Sequence, residues 1–424
     1  MTDNPNKRSF LASGPPSATS ARQQQVVRCP HVPKTIQSRQ MIDPSRHRLL
    51  LACVKARWDP TQLDEARRIV HECAVDWDEF LTQAARHAVA PLIYDALKEE
   101  DTILPDHVQE KLATAYYHTA VHNTLLYERL AKIVDAFNRA EVPVILLKGA
   151  ALAQEVYGNV ALRPMGDLDF LVRKEKMSRA QRLLVELGYE VRDHAHPYLR
   201  HATFAGESNG TRAHIEVHRH IVSSAYYRRT IPDEWLWQDA SESAIGDVTA
   251  QMLSPERAIA HCCLHLLDHV GTAGTLLWLC DIREISQRRE IDWETLADKL
   301  IEFKIALPAG SMLFACSRLL DLPLSDHVEQ RLLAHRPGFL ENKAYQFCLS
   351  PARSSASKTF FDFLAGEGIS ARVQYLRSRL LPDRDYMMAR YSIRHPWLLP
   401  LYYLRMIAQA ALDSFQALTR SHQG

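Results

Sequence analysis

Residues 141–172 read EVPVILLKGAALAQEVYGNVALRPMGDLDFLV, and their pattern decides the fold. Pro143–Leu147 is a short aliphatic, β-branched run that fits a buried strand. Lys148-Gly149 break it, Ala150–Tyr157 predicts a short helix, and Gly158 ends that helix. Asp167–Val172 predicts a second strand. Strand side chains alternate, so Asp167 and Asp169 share one face while Leu168, Phe170 and Val172 fill the other. Two adjacent carboxylates repel each other, and burying them uncompensated is costly. A divalent cation bridging them removes the cost; a solvated sheet edge is the plainer alternative.

Downstream, Met177–Leu187 predicts a helix closed by Gly188, and Tyr189–Arg192 a third strand. Tyr198–Ala205 and Arg212–Ile221 read as paired strands joined at Glu207-Ser208-Asn209-Gly210, since Asn-Gly is a strong hairpin signal. Within the second of these, His214, Glu216, His218 and His220 fall on one face and Ile215, Val217 and Ile221 on the other. If Glu216 lies beside Asp167 and Asp169, three carboxylates on neighbouring strands make a hard-oxygen site suited to Mg²⁺, with Mn²⁺ as the alternative. His218 would then orient Glu216, a role preferred here over direct ligation of a softer metal. Lys148 and Arg163 are expected to neutralise phosphate oxygens, and Gly149 to open a helix N-terminus that holds a phosphate.

The 424 residues predict two or three domains. With 46% apolar and 24% charged residues, disorder throughout, collagen and a coiled-coil rod are excluded. A formal net charge of +1 gives no field that would pull the chain onto duplex DNA. The eight cysteines include no C-x-x-C, which points to reduced thiols and a cytoplasmic location. No apolar run is long enough for a transmembrane segment. The expected organisation is a disordered basic tail at 1–45, a helical region at 46–140, the α/β core at 141–240, a helical domain at 250–340 and a helical extension at 341–424. Ser254 is expected to cap a helix begun by Pro255. On that helix His261, His265 and His269 recur every four residues, more in the manner of partly buried histidines than of a zinc site with Cys262. Trp235 and Trp237 are read as core or rim. Pro396–Leu404 is expected to begin a docked terminal helix, rather than one making peripheral membrane contact.

The stretch LLKGAALAQEVYGNVALRPMGDLDFLV resembles the uncharacterised nucleotidyltransferase family of the polymerase-beta-like superfamily. That family tends to show L-K-G, then Y-G, then R-P-x-x-D-x-D, and later a strand of the type of IEVH at 215–218. HCCLHLLDH, WLCDIREI, IDWETL and LLPDRDYMMARY also fit, so the resemblance spans about residues 47–395. It implies an α+β fold, with a small mixed-sheet nucleotidyltransferase core flanked by helical regions. It implies Asp167 and Asp169 as the metal-binding pair, Glu216 as the third carboxylate, and Lys148-Gly149 at the position of the superfamily's glycine-serine phosphate loop. Ala150 follows Gly149, so that loop has no serine hydroxyl, and 17 residues separate Gly149 from Asp167.

The implied activity is metal-dependent transfer of a nucleoside monophosphate from a nucleoside triphosphate, with pyrophosphate released. The acceptor is unknown: a small molecule, a sugar, an RNA end or a protein. The alternative is a catalytically silent nucleotide- or partner-binding module on the same fold; a weaker third is a transition-metal hydrolase using the histidine-rich strand face. The helix at 254–270 is the expected wall of an acceptor pocket. There His265 and Asp281 would either hydrogen-bond an acceptor hydroxyl or lock two helices together.

Overall fold

A computed structural model describes residues 47–100, 103–193, 201–208, 211–222, 224–269, 273–349 and 395–420, with Asp43 and scattered positions between 363 and 393. The basic tail, Asn209-Gly210 where the turn is expected, and most of 350–394 lie outside the described residues.

Four helices open the described chain: α1 (Arg48–Lys55), α2 (Gln62–Glu72), α3 (Trp77–Arg86) and α4 (Ala90–Leu97). They fall in the region expected to be helical, and α4 is an apolar octet with Pro91 in its first turn. Asp76 caps α3 by accepting from the amide of Glu79. Then α5 (Asp106–Arg139) runs for 34 residues, about 50 Å at 1.5 Å per residue.

The α/β part follows: β1 (Val144–Leu147), α6 (Lys148–Glu155), β2 (Asp167–Val172), α7 (Met177–Glu186), β3 (Glu190–Asp193), β4 (His201–Ser208) and β5 (Thr211–His218). Gly158 and Gly188 take φ of +70° and +88°, so both stop signals occupy the left-handed region open to glycine. After two short helices, α8 (Ala225–Thr230) and α9 (Asp233–Trp237), comes a hairpin the sequence reading does not contain, β6 (Ser241–Ile245) with β7 (Val248–Met252). Gly246, with φ +59°, starts its turn.

Among the described residues these strands form one seven-stranded mixed sheet, ordered β3-β4-β5-β2-β1-β7-β6. β1 runs antiparallel to β2 and parallel to β7, and β2 runs parallel to β5. The α+β class is thus the observed one. Further helices among the described residues include α10 (Pro255–Asp268), α11 (Thr275–Arg288), α12 (Trp293–Glu302), α13 (Ala306–Leu320), α14 (Asp326–Ala334), α15 (Phe339–Leu349) and α16 (Leu399–Arg420). Ser254 stands at the N-cap of α10 but makes no capping bond. Its hydroxyl donates to Glu256 and accepts from Arg257 Nη1 instead.

Two cores hold this together. One face of the sheet packs through Leu146, Leu168, Phe170 and Ile215 on α5 and α7, through Leu130, Phe137 and Leu184. The other face contributes Ile145, Leu147 and Leu171 to a larger core shared by α1–α4 and α10–α15. The helices before and after the sheet therefore bury their apolar stripes in the same core. α5 reaches both, with Leu112 in the helical core and Leu126 in the sheet core. Trp235 is buried in the helical core and Trp237 lies at its edge under Arg173. At the terminal helix Tyr402 packs on Tyr391, with ring centroids 5.3 Å apart, while Leu401 and Leu404, and Trp397 just before the helix, are 63%, 66% and 75% exposed.

Candidate functional site

β2 and β5 place the acidic residues. Their parallel register sets Asp169 against Glu216 and Asp167 against His214. β4 adds Thr203 opposite Glu216 and His201 opposite His218. Asp167, Asp169, Glu216, His218 and His201 therefore share one face, at the margin where Leu147 and Leu171 pass under the helical core. Ligand atoms of Asp167, Asp169 and Glu216 lie within 4.8 Å of one another.

The like-charge problem posed by D-x-D is met partly by the protein itself. Lys148, leaving the end of β1, puts Nζ 2.8 Å from Asp169 Oδ1 and 3.9 Å from Asp167 Oδ2. His218 Nε2 is 2.6 Å from the same Asp169 oxygen and 3.2 Å from Glu216 Oε2. Burial would raise the Asp169 carboxyl, but Lys148 and His218 outweigh it and hold it well below the usual carboxylate range. Burial would likewise lower Lys148 and His218; Asp169, with Asp167 and Glu216 around Lys148 and Glu216 beside His218, raises both instead. Glu216 is lowered: burial would raise it, but the His218 hydrogen bond and charge, together with the Lys148 charge, outweigh burial. Asp167 is the exception: burial and the Asp169 charge push it up to about 6.

One valence is left over. Asp169 is 1% exposed, and its Oδ2 is buried without a hydrogen-bond partner. Buried carboxylate oxygens are normally satisfied, so this atom calls for a cation or a ligand. The donor set of Asp167, Asp169 and Glu216, all oxygen, fits a hard divalent ion.

The Lys148-Gly149 turn is built from below. Lys148 has φ +49°, a strained value for a residue with a Cβ. A Cβ on Gly149 would meet Arg163 Nη1 at 2.5 Å and Met165 Cγ at 2.6 Å, so only glycine fits. Arg163, expected at phosphate, is 5% exposed under this turn. Its Nε and Nη2 donate to Asp281 at 3.2 and 2.8 Å, and its Nη1 to the carbonyl of Pro164. The guanidinium is spent inside the protein, supporting the turn.

Asp281 also accepts from the Tyr157 hydroxyl at 2.8 Å. It serves Arg163 and Tyr157, while His265 packs on Trp278 and His269, with ring centroids 4.8 and 4.6 Å away. Burial and the nearby Lys148 charge hold His265 well below its usual range. α10 lines a cavity of about 150 Å³ beside Lys148, together with Leu152, Met252, Ile285 and Arg289, and contributes His261 and Cys262 to it.

The sequence reading gives no site role to His201, Tyr157 or Asn123. Asn123, fully buried on α5, donates to the carbonyls of Val160 and Arg163 and so pins the loop before β2.

The fold and site define an α+β protein with a mixed sheet and an acidic cluster able to hold a metal. Residues 74–321 match the profile of the uncharacterised nucleotidyltransferase family, and the chain belongs to that family. No curated protein matches it. Among solved structures, it is similar to an antigenic nucleotidyltransferase-like protein from Paracoccidioides brasiliensis. The identity is 14% and the TM-score 0.32, over 53% of this chain and 94% of that one. A likeness this slight has no bearing on function.

Proposed function

We propose that the chain is an active nucleotidyltransferase. An acceptor hydroxyl attacks the α-phosphorus of a nucleoside triphosphate; the new O–P bond forms as the bond to the β-phosphate oxygen breaks. Pyrophosphate leaves with the electron pair, and the hydroxyl proton passes to solvent. Asp167, Asp169 and Glu216 would hold Mg²⁺ or Mn²⁺, which supplies positive charge to the phosphate oxygens. Lys148 is a fixed cation beside them, and the N-terminus of α6 offers backbone amides for a phosphate. Arg163 acts through the turn it supports. His218 holds both Asp169 and Glu216 in place. The cavity under α10 would take a ring-sized part of the acceptor or nucleotide.

The observation that carries this reading is the buried, unpartnered Asp169 Oδ2 at the meeting point of three carboxylates. Family membership supports it. The test is incubation with each α-labelled nucleoside triphosphate and Mg²⁺, reading pyrophosphate release and transfer of label, including onto the protein itself. Release that is lost in Asp169→Asn supports the proposal. Nucleotide binding without release under any triphosphate points instead to a silent binding module.

A further inference from the structure

Beyond the three carboxylates, the same sheet face carries a second group of ligating atoms. Side-chain atoms of His201, Glu216 and His218 lie within 4.8 Å of one another. His201 and His218 are opposite partners on β4 and β5, with ring centroids 5.2 Å apart. Glu216 belongs to both groups, so the two lie side by side and share one carboxylate. Their chemistry differs. The first offers oxygen alone; the second offers one carboxylate and two imidazoles, His218 ligating as its proton, now shared with Asp169 and Glu216, is released to solvent, a donor set that suits zinc and other first-row transition metals better than Mg²⁺.

The order across the face is Lys148, Asp167 and Asp169, Glu216 and His218, then His201. A cation at the histidine end is therefore as far from the Lys148 ammonium as this row of donors allows. His201 and Glu216 are partly exposed, so an ion has a path in. The orphan Asp169 Oδ2 shows that the centre has at least one oxygen more than its internal partners satisfy.

We infer that His201, Glu216 and His218 form a mixed nitrogen–oxygen site for a transition metal of the Zn²⁺ or Co²⁺ type, next to the all-oxygen site and sharing Glu216 with it. This rests on the metal-centre reading above, but it needs neither nucleotide nor transfer, and the two can fail separately.

The test uses the full chain, stripped with chelator, and titrates Zn²⁺ by calorimetry and Co²⁺ by visible absorption. The expected result is one high-affinity Zn²⁺ per chain and Co²⁺ bands of a nitrogen-ligated ion. His201→Gln, which keeps a polar side chain, should weaken that Zn²⁺ at least tenfold and bleach the bands. Mg²⁺ affinity should stay within about twofold. Asp167→Asn should do the reverse. His118 and His122, stacked on α5 with centroids 6.2 Å apart, offer only two ligands; His118→Gln should leave the tight Zn²⁺ intact. Equal Zn²⁺ affinity in His201→Gln and wild type would overturn the site, as would a wild-type Co²⁺ spectrum of an ion bound by oxygen alone. The spectrum needs no variant, so a folding defect cannot blur the answer. Mg²⁺ binding and transfer that persist without the tight Zn²⁺ would leave the transferase reading standing and remove this one.

Discussion

Asp281→Asn puts the deepest part of the site to a measurable test. Asp281 is 2% exposed and accepts from Tyr157 Oη, Arg163 Nε and Arg163 Nη2 at 2.8, 3.2 and 2.8 Å. Asparagine keeps one acceptor oxygen for Tyr157 but turns an amide N–H toward the guanidinium, donor against donor. Arg163, itself 5% exposed, is left charged without its counter-ion. Removing one partner of a buried pair costs about 3–5 kcal/mol. Unfolding entropy near 2 cal/mol/K per residue makes 1 kcal/mol worth about 1 °C in a chain of this length, so Tm should fall by roughly 3–6 °C. Arg163→Met in the same chain removes the stranded charge, and the double variant should melt above Asp281→Asn alone. Because Arg163 lies against Gly149, the single variant should also loosen the Lys148 turn and lose transfer activity in step with stability. Thermal melts of wild type and the two variants beside activity assays decide it. A melt for Asp281→Asn within about 1 °C of wild type, or near-native stability with a large loss of transfer rate, would refute the structural role and return Asp281 to the acceptor side of the chemistry.

Gly149→Ala should destabilise by about 1–3 kcal/mol through overpacking, despite alanine's higher helix propensity, because the new Cβ meets an Arg163 that Asp281 holds fast; chemical denaturation measures this. Asp169→Asn should abolish transfer. The repulsion within D-x-D by itself suggests a gain in stability, but loss of the Lys148 and His218 contacts makes the expected change a loss, and a higher melting temperature would contradict it. Burial and the neighbouring His47 and Arg86 push His87 down to about 4, so between pH 6.5 and pH 4 the unfolded chain binds a proton there that the folded chain refuses. That stability is present above pH 6.5 and lost as pH falls; in His87→Gln the drop from pH 7 to 4.5 should shrink by about 2 kcal/mol, read from melts at both pH values.

The sequence disclosed the centre of the molecule better than its margins, for physical reasons. DLDFLV alternates strictly and is bounded by Gly166 and Arg173, and the observed β2 has the expected ends. The hairpin was legible further than it was read. Asn209-Gly210 as a two-residue turn sets Ser208 against Thr211, and seven residues along each strand from there His201 meets His218. That count alone would have brought His201 to the site. The β6–β7 hairpin carries a two-residue turn signal, Gly246-Asp247, but SESAI and VTAQM hold few branched and no aromatic residues, so the strands on either side of it are poorly marked. Arg163 could not be placed from its type: phosphate and a buried carboxylate use the same planar donors, and only the position of Asp281 on α11 settles which one it meets.

The missed hairpin explains why Lys148 can serve as a fixed charge. Without β7, β1 would be an edge strand, free to fray at the end that carries Lys148. With β7 paired to Ile145 and Leu146, β1 is interior, flanked by β2 on its other side. The chain then leaves β1 at Leu147 under tension, turning through φ +49° at Lys148. Such a conformation persists only where its surroundings over-determine it. Here the surroundings are the strand pairing before it, Gly149 seated on Arg163 and Met165 after it, and the Asp169 carboxylate at the tip of its side chain. The L-K-G turn, R-P-M and D-x-D that supply these contacts all fall within residues 147–169. The motif therefore encodes one object, a cation held at a set distance from a carboxylate pair, and its glycine and arginine serve that object from inside the fold.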